Sequence, residues 1–166
     1  MAEIRVTGQA EEFLDYALIS KLSEIENGRA KYTMICDDQG GIIDDLIVYR
    51  LDDDEFMIVA NAGNQHQVVE ALKTRLENFP DTRVVDESGL WSLIAMQGPK
   101  TKEVLGSLVD VDLTVLKYYS IATAVLDGKD VFLARTGYTG EDGFEIFVEG
   151  DPSGVWQLLL SQEGVS

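Results

Sequence analysis

The sequence predicts an α+β protein of mostly antiparallel sheets with packed helices. Short runs of alternating apolar residues are joined by hairpin signals, of which Asp127-Gly128 between two apolar runs is the plainest. Amphipathic helical stretches lie between these runs, without the repeated long crossovers that a parallel sheet demands. A length of 166 residues suits one compact unit, or two closely joined lobes of about 1–90 and 91–166, burying roughly 70% of the surface an extended chain exposes. No fixed-period repeat and no linker rich in proline, glycine and serine interrupts it.

Glu3 to Thr7 reads as a strand that Gly8 ends, and Ala10, Phe13, Leu14, Ala17 and Leu18 then recur at helical spacing. Ser20 to Gly28 is polar and irregular. Arg29 to Asp37 returns to strand chemistry with Tyr32, Met34 and Cys36 on one face, and Asp37-Asp38-Gln39-Gly40-Gly41 turns the next strand back antiparallel. Glu55 to Ala60 follows a charged tip, Asp52-Asp53-Asp54, whose spacing lacks the alternating ligands and central glycine of a calcium loop. Asn64, with Gln67 at the third position, is placed to cap a helix whose stripe is Val68, Val69, Leu72, Leu76 and Phe79, stopped by Pro80.

Thr82 to Glu87 and Trp91 to Met96 are strand candidates, and Gln97-Gly98-Pro99 opens a helix with proline first and Val104, Leu105 and Leu108 inward. Leu113 to Ser120 is expected to be helical. Ala122 to Leu126, Val131 to Arg135 and Phe144 to Glu149 are strands. Asp151-Pro152 begins a last helix with an inner face of Val155, Trp156, Leu159 and Leu160.

Composition narrows the function classes. Thirty acids against 13 lysines and arginines give a net charge of −17, so the surface repels phosphate backbones and anionic lipid, and nucleic acid and membrane are not expected partners. An anionic small ligand needs only a local cluster of donors and stays open. One cysteine and one histidine exclude a zinc site of the usual type and an internal disulfide, so no metal is expected. Cys36 reads as a small buried hydrophobe and His66 as a solvated polar residue. The opening residues have neither a secretory signal nor a transit-peptide pattern, and no apolar run is long enough to span a bilayer, which points to the cytoplasm.

Two stretches depart from ordinary strand and turn chemistry. In Gly40-Gly41-Ile42-Ile43-Asp44-Asp45-Leu46-Ile47-Val48-Tyr49-Arg50 two adjacent acids sit inside a β-branched run. Alternation puts Ile43, Asp45, Ile47 and Tyr49 on one face and Ile42, Asp44, Leu46, Val48 and Arg50 on the other, both largely apolar. A strand covered on both sides brings a carboxylate near the interior, where it must find donors, a cation or a ligand. Asp45 is the first candidate for chemistry; the alternative is an acid paired with a lysine, an arginine or backbone amides. The second stretch, Ala134 to Ile146, carries Gly137, Gly140 and Gly143 around Tyr138. It is either a turn or a backbone built to approach a ligand closely.

These two stretches, together with Val59-Ala60-Asn61-Ala62-Gly63-Asn64 and Ile94-Ala95-Met96-Gln97-Gly98-Pro99, resemble successive motifs of the T-protein of the glycine cleavage system, the aminomethyltransferase family. They come in family order and cover nearly the whole chain. The resemblance implies a folate-binding T-protein-like fold. It implies transfer of the one-carbon unit of H-protein-bound aminomethyl-lipoate to tetrahydrofolate, giving 5,10-methylenetetrahydrofolate and ammonia. Lipoylated H-protein would be the partner and tetrahydrofolate the co-substrate. By the same resemblance Asp45 is the catalytic acid beside the pterin, Glu145 binds the pterin edge, and Tyr32, Tyr49, Asn61, Tyr119 and Tyr138 line the folate pocket. Glu145 enters by resemblance alone, since its strand pattern reads as a solvated edge acid. Family members are longer at both ends, and Leu18-Ile19-Ser20 stands where many have Thr-Asn-Asp. A second copy or a complementing chain is the expected cover for apolar surface those segments would otherwise hide. Two further readings are a non-catalytic tetrahydrofolate-binding or assembly module, and a folate lobe partnering a sarcosine- or dimethylglycine-type dehydrogenase.

Overall fold

The computed structural model describes residues 1–166, which form two compact units, Met1–Gly89 and Leu90–Ser166. The first is built on β1 (Ala2–Thr7), α1 (Ala10–Ala17), β2 (Ala30–Cys36), β3 (Ile42–Asp52), β4 (Glu55–Ala60), α2 (Gln65–Thr74) and β5 (Arg83–Asp86). Its sheet has the order β2-β3-β4-β1-β5, antiparallel throughout. Period-2 alternation sends Ile4, Val6, Ile35, Leu46, Val48, Phe56 and Ile58 to one face, where they meet Phe13 and Leu14 of α1 and Val68 and Leu72 of α2. Gly8, at φ +89°, turns the chain from β1 into α1 so tightly that a Cβ there would lie 1.9 Å from the Asp81 carbonyl oxygen.

The polar stretch after α1 is ordered by one carboxylate. Asp15 Oδ1 accepts from the backbone of Leu22 at 2.5 Å and Ser23 at 2.9 Å, and its Oδ2 accepts from the Ser23 hydroxyl at 2.6 Å. Partial burial raises the Asp15 pKa, but these donors outweigh it and hold the group below the usual aspartate range. The aspartate tip is likewise folded by an interior-facing cation: Arg50 donates to the carbonyls of Ile25, Asp52 and Asp53 and pairs with Glu11 at 2.5 Å.

The second unit comprises β6 (Trp91–Gln97), α3 (Thr101–Gly106), β7 (Ile121–Leu126), β8 (Lys129–Ala134), β9 (Gly143–Glu149) and α4 (Ser153–Leu160). Its antiparallel sheet runs β6-β9-β8-β7. Positive φ at Asp127 and Gly128 makes the expected two-residue turn between β7 and β8. Phe144, Ile146, Val148, Leu133 and Leu126 pack with Leu105, Val155 and Leu159.

Several expectations are corrected. Leu113 to Ser120 is not helical but a chain of turns. Asp112 caps Thr114 locally, Arg135 Nη1 draws in the Leu116 carbonyl at 2.7 Å, and Tyr119 takes φ +57°, which no helix accommodates. Trp156 and Leu160 are exposed, because the two-turn helix α4 buries only the narrow Val155/Leu159 stripe. Helix α3 starts at Thr101, two residues after Pro99. Cys36 is half-buried at a strand end. Asn64 precedes α2 without capping it by its side chain, for a reason that lies in the site.

The glycine-rich stretch is shaped by Gln97. Its Nε2 donates to the carbonyls of Thr136 at 3.0 Å and Phe144 at 3.3 Å, and a Cβ at Gly137 or Gly143 would come within 2.0 or 2.3 Å of its Oε1. These glycines admit a side chain of the same unit. Arg135 closes the loop with a two-pronged pair to Asp142, 2.8 Å from Nε to Oδ1 and 2.6 Å from Nη2 to Oδ2.

Gly137→Ala is expected to expel the Gln97 amide and cost about 1–3 kcal/mol in chemical denaturation, whereas adding Gln97→Ala to it should recover part of that loss; two independent, additive losses would contradict the packing. Asp15, with its folded pKa lowered, contributes stability that is complete above the unfolded aspartate value and is lost as pH falls through the folded one. Asp15→Asn should therefore lower stability by about 1–2 kcal/mol at pH 7 and flatten the decline below about pH 4, as read from urea midpoints across that range.

Candidate functional site

The site in the first unit begins with an irregularity in β3. Ile35 pairs with Asp44 but Cys36 pairs with Ile42, so Ile43 is an extra residue on β3. Such a bulge breaks strict alternation and bends the strand locally. Ile43 thus packs on the helix-covered core beside Asp44, while Ile42 is exposed. Beyond the bulge, alternation holds: Asp44, Leu46 and Val48 face the core, and Asp45, Ile47 and Tyr49 face the other way.

The deeply buried carboxylate is Asp44, at 3% exposure; Asp45 is only half-buried. No lysine or arginine pairs with either. Asp44 Oδ2 accepts from the Asn61 backbone N–H at 2.9 Å, and its Oδ1 accepts from Asn61 Nδ2 at 2.9 Å and Asn64 Nδ2 at 2.7 Å. Asn64 spends its amide here, which is why it does not cap α2. Asn61 Nδ2 also donates to the Asp45 carbonyl at 3.1 Å and to Asp45 Oδ1 at 3.0 Å. The Tyr32 hydroxyl donates to Asp45 Oδ2 at 2.8 Å. Asn61 stands beside Asp45 because the β3–β4 ladder ends at Leu46–Ala60, and a short 3-10 turn, Ala62–Asn64, then leads into α2. The negative charge of Asp44 therefore lies against the N-terminal end of a helical segment, where it is favoured.

Four of the expected residues are thus placed. Tyr32, Asp45 and Asn61 are joined by hydrogen bonds, with Tyr32 at 44% exposure. Tyr49 shares the Asp45 face of β3 and is completely enclosed. A fixed carboxylate of this kind is an acceptor for N–H groups and stabilises positive charge that develops on a nitrogen next to it.

In the second unit Glu145 is at 8% exposure, not a solvated edge acid. Strand β9 lies between β6 and β8, and Glu145 is flanked by the small residues Ala95 and Ala134. The Thr136 hydroxyl donates a hydrogen bond to Glu145 Oε2. Tyr119 packs edge-on against Tyr118 at 4.8 Å, and its hydroxyl is held above the usual tyrosine range by burial, then by Tyr118 and by the charge of Glu145. Tyr138, at the glycine loop, is 76% exposed. A cavity of about 420 Å³ bounded by Met96, Pro99, Trp156 and Val165 includes none of the expected site residues.

Sequence reasoning passed over Asp44, Asn64, Thr136 and Gln97. The alternation already put Asp44 on the face of Leu46 and Val48. Nothing in the spacing marked its amide partners.

Comparison with known proteins bears on this arrangement. The GCVT N-terminal domain family matches residues 1–164. An aminomethyltransferase of Streptomyces coelicolor is 50% identical over 161 residues, 96% of this chain and 43% of the relative. One from Staphylococcus carnosus is 38% identical over 168 residues, 99% of this chain and 46% of the relative. The chain thus spans less than half the length of these relatives. The crystal structure of glycine cleavage system aminomethyltransferase T from Bartonella henselae superposes with a TM-score of 0.89 at 34% identity, covering 99% of this chain and 44% of that one. Heterotetrameric sarcosine oxidase from a Corynebacterium shares the fold, with a TM-score of 0.68 at 18% identity over 95% of this chain and 77% of that one. By the family match over nearly its whole length, and by identity with its relatives, the chain belongs to the aminomethyltransferase family of the GCVT N-terminal domain.

Proposed function

We propose that the chain carries the tetrahydrofolate-handling part of an aminomethyltransferase, and that Asp45 is its catalytic acid. One observation carries this reading: Asp45 is held on both carboxylate oxygens by neutral donors, Asn61 Nδ2 and the Tyr32 hydroxyl, and by no cation. Its charge is not neutralised by a neighbour and is available to a ligand's N–H groups. The donor set fits a pterin, a flat ring with several N–H donors, which suits carboxylates among aromatic side chains.

Tetrahydrofolate, when bound, supplies the nitrogen that accepts the one-carbon unit. Asp45 orients that nitrogen and stabilises the positive charge developing beside it. Tyr32 and Asn61 fix the carboxylate so that no reorganisation is needed as charge develops. The family resemblance also assigns to the folate Glu145, which accepts from the Thr136 hydroxyl, together with Tyr119 and Tyr138; within the first unit Tyr49 supports the Asp45 strand. The one-carbon donor in this reading is the aminomethyl-lipoyl arm of H-protein, the setting is cytoplasmic, and the products are 5,10-methylenetetrahydrofolate and ammonia. No helix is long and apolar enough to cross a membrane.

An anaerobic calorimetric titration with tetrahydrofolate tests the reading. The parent chain should show saturable one-site binding, and Asp45→Asn should weaken it about tenfold or more, the factor for one lost charged hydrogen bond, with an unchanged circular dichroism spectrum. Equal affinity in the two proteins contradicts the role of Asp45, and no binding by the folded parent contradicts the reading itself.

A further inference from the structure

Asp44 has no part in the proposed chemistry, yet the fold places an ionised group among core side chains to keep it. At 3% exposure it is enclosed beside Leu46, opposite Ile35, and every donor it has is a neutral N–H: Asn61 N, Asn61 Nδ2 and Asn64 Nδ2. Burying a carboxylate without a cation carries a desolvation cost that an apolar residue there would not. Packing alone does not account for it.

The arrangement of hydrogens does. An asparagine amide is nearly symmetric in shape, and only its partners decide which end is NH2. Asp44 is an acceptor only. It commits the Asn61 NH2 to its own Oδ1, which leaves the second hydrogen for the Asp45 carbonyl and Oδ1. With an acceptor and a donor presented together at position 44, that position would no longer oppose a flip of the Asn61 amide, and the Asp45 acceptors alone would have to hold it. The flipped state sets its carbonyl oxygen against Asp45 Oδ1, which is repulsive. Asn64 anchors the same Asp44 Oδ1 at 2.7 Å, at the cost of the side-chain cap of α2.

We propose that Asp44 is a positioning residue for Asp45: its buried charge locks the polarity of the Asn61 side-chain amide, and through that amide fixes the Asp45 carboxylate on the opposite face of β3. The relevance to transfer rests on the role given to Asp45 above; the lock itself does not.

The test uses the whole chain, labelled for nuclear magnetic resonance, as parent, Asp44→Asn and Asn64→Ala. The Asn61 side-chain amide signals, assigned by their loss in Asn61→Ala, and the Asp45 carboxylate carbon are followed together with the methyl groups of Ile35, Leu46 and Val48. Asp44→Asn should speed exchange of the Asn61 amide hydrogens about tenfold, the factor for one ordinary hydrogen bond, and move the Asp45 carbon while the methyls stay in place. Asn64→Ala, which leaves the residues of β3 intact, should shift the same two signals in the same direction by less, and it decides the matter if Asp44→Asn does not fold. A structural role alone would move the methyls and leave Asn61 and Asp45 as in the parent, and that result overturns the proposal. Tetrahydrofolate titrations of the same variants supply the second arm. Asp44→Asn and Asn61→Ala should weaken binding by similar factors and non-additively when combined, and additive factors contradict the coupling. If the parent does not bind tetrahydrofolate, the reading of function fails while the resonance arm still decides the lock.

Discussion

One side-chain amide, that of Asn61, lies between two adjacent carboxylates, and the geometry of the first unit's candidate site follows from it. Two acids next to each other on a strand point to opposite faces and have no direct reason to cooperate. The β3–β4 ladder ends at Leu46–Ala60, so the following residue stands where its amide reaches both Asp44 and Asp45. Both acids are then satisfied by neutral donors. This differs from Arg5 with Glu55 and Glu87, or Arg135 with Asp142, where a guanidinium takes up the carboxylate charge and leaves little for a ligand.

In the second unit a chain of neutral donors leads to Glu145. The Gln97 amide is threaded past Gly137 and Gly143 to the Thr136 carbonyl, and the Thr136 hydroxyl meets Glu145. Its cross-strand neighbours on β6 and β8 are the small residues Ala95 and Ala134. In each unit an amide side chain stands one or two hydrogen bonds behind an acid.

Much of this fold was legible in the sequence because it rests on local signals. The 3.6-residue stripe of α1, the alternation in β3 and β4, and the Asp127-Gly128 turn are each written within a dozen residues. Leu113 to Ser120 misled because its fate is decided by Arg135, nineteen residues beyond Leu116, and by a left-handed Tyr119 that no propensity anticipates. Trp156 and Leu160 misled because hydrophobicity alone does not say how wide a two-turn helix's buried stripe is. Asp45 was legible as an unusual acid, and its family resemblance sharpened that. The burial of Glu145 was not, since the centrality of β9 depends on pairing with strands far apart in the chain. Nor was the diversion of Asn64 from a helix cap to Asp44, which only the three-dimensional approach of β3 to the start of α2 creates.

The most direct test of the account is a crystal structure of the chain with tetrahydrofolate at a resolution that shows side-chain amide hydrogens. A pterin nitrogen should lie within hydrogen-bond distance of the Asp45 carboxylate, with Asn61 Nδ2 still shared between Asp44 and Asp45. A ligand bound away from Asp45, or an Asn61 amide swung onto the ligand and off Asp44, would contradict it.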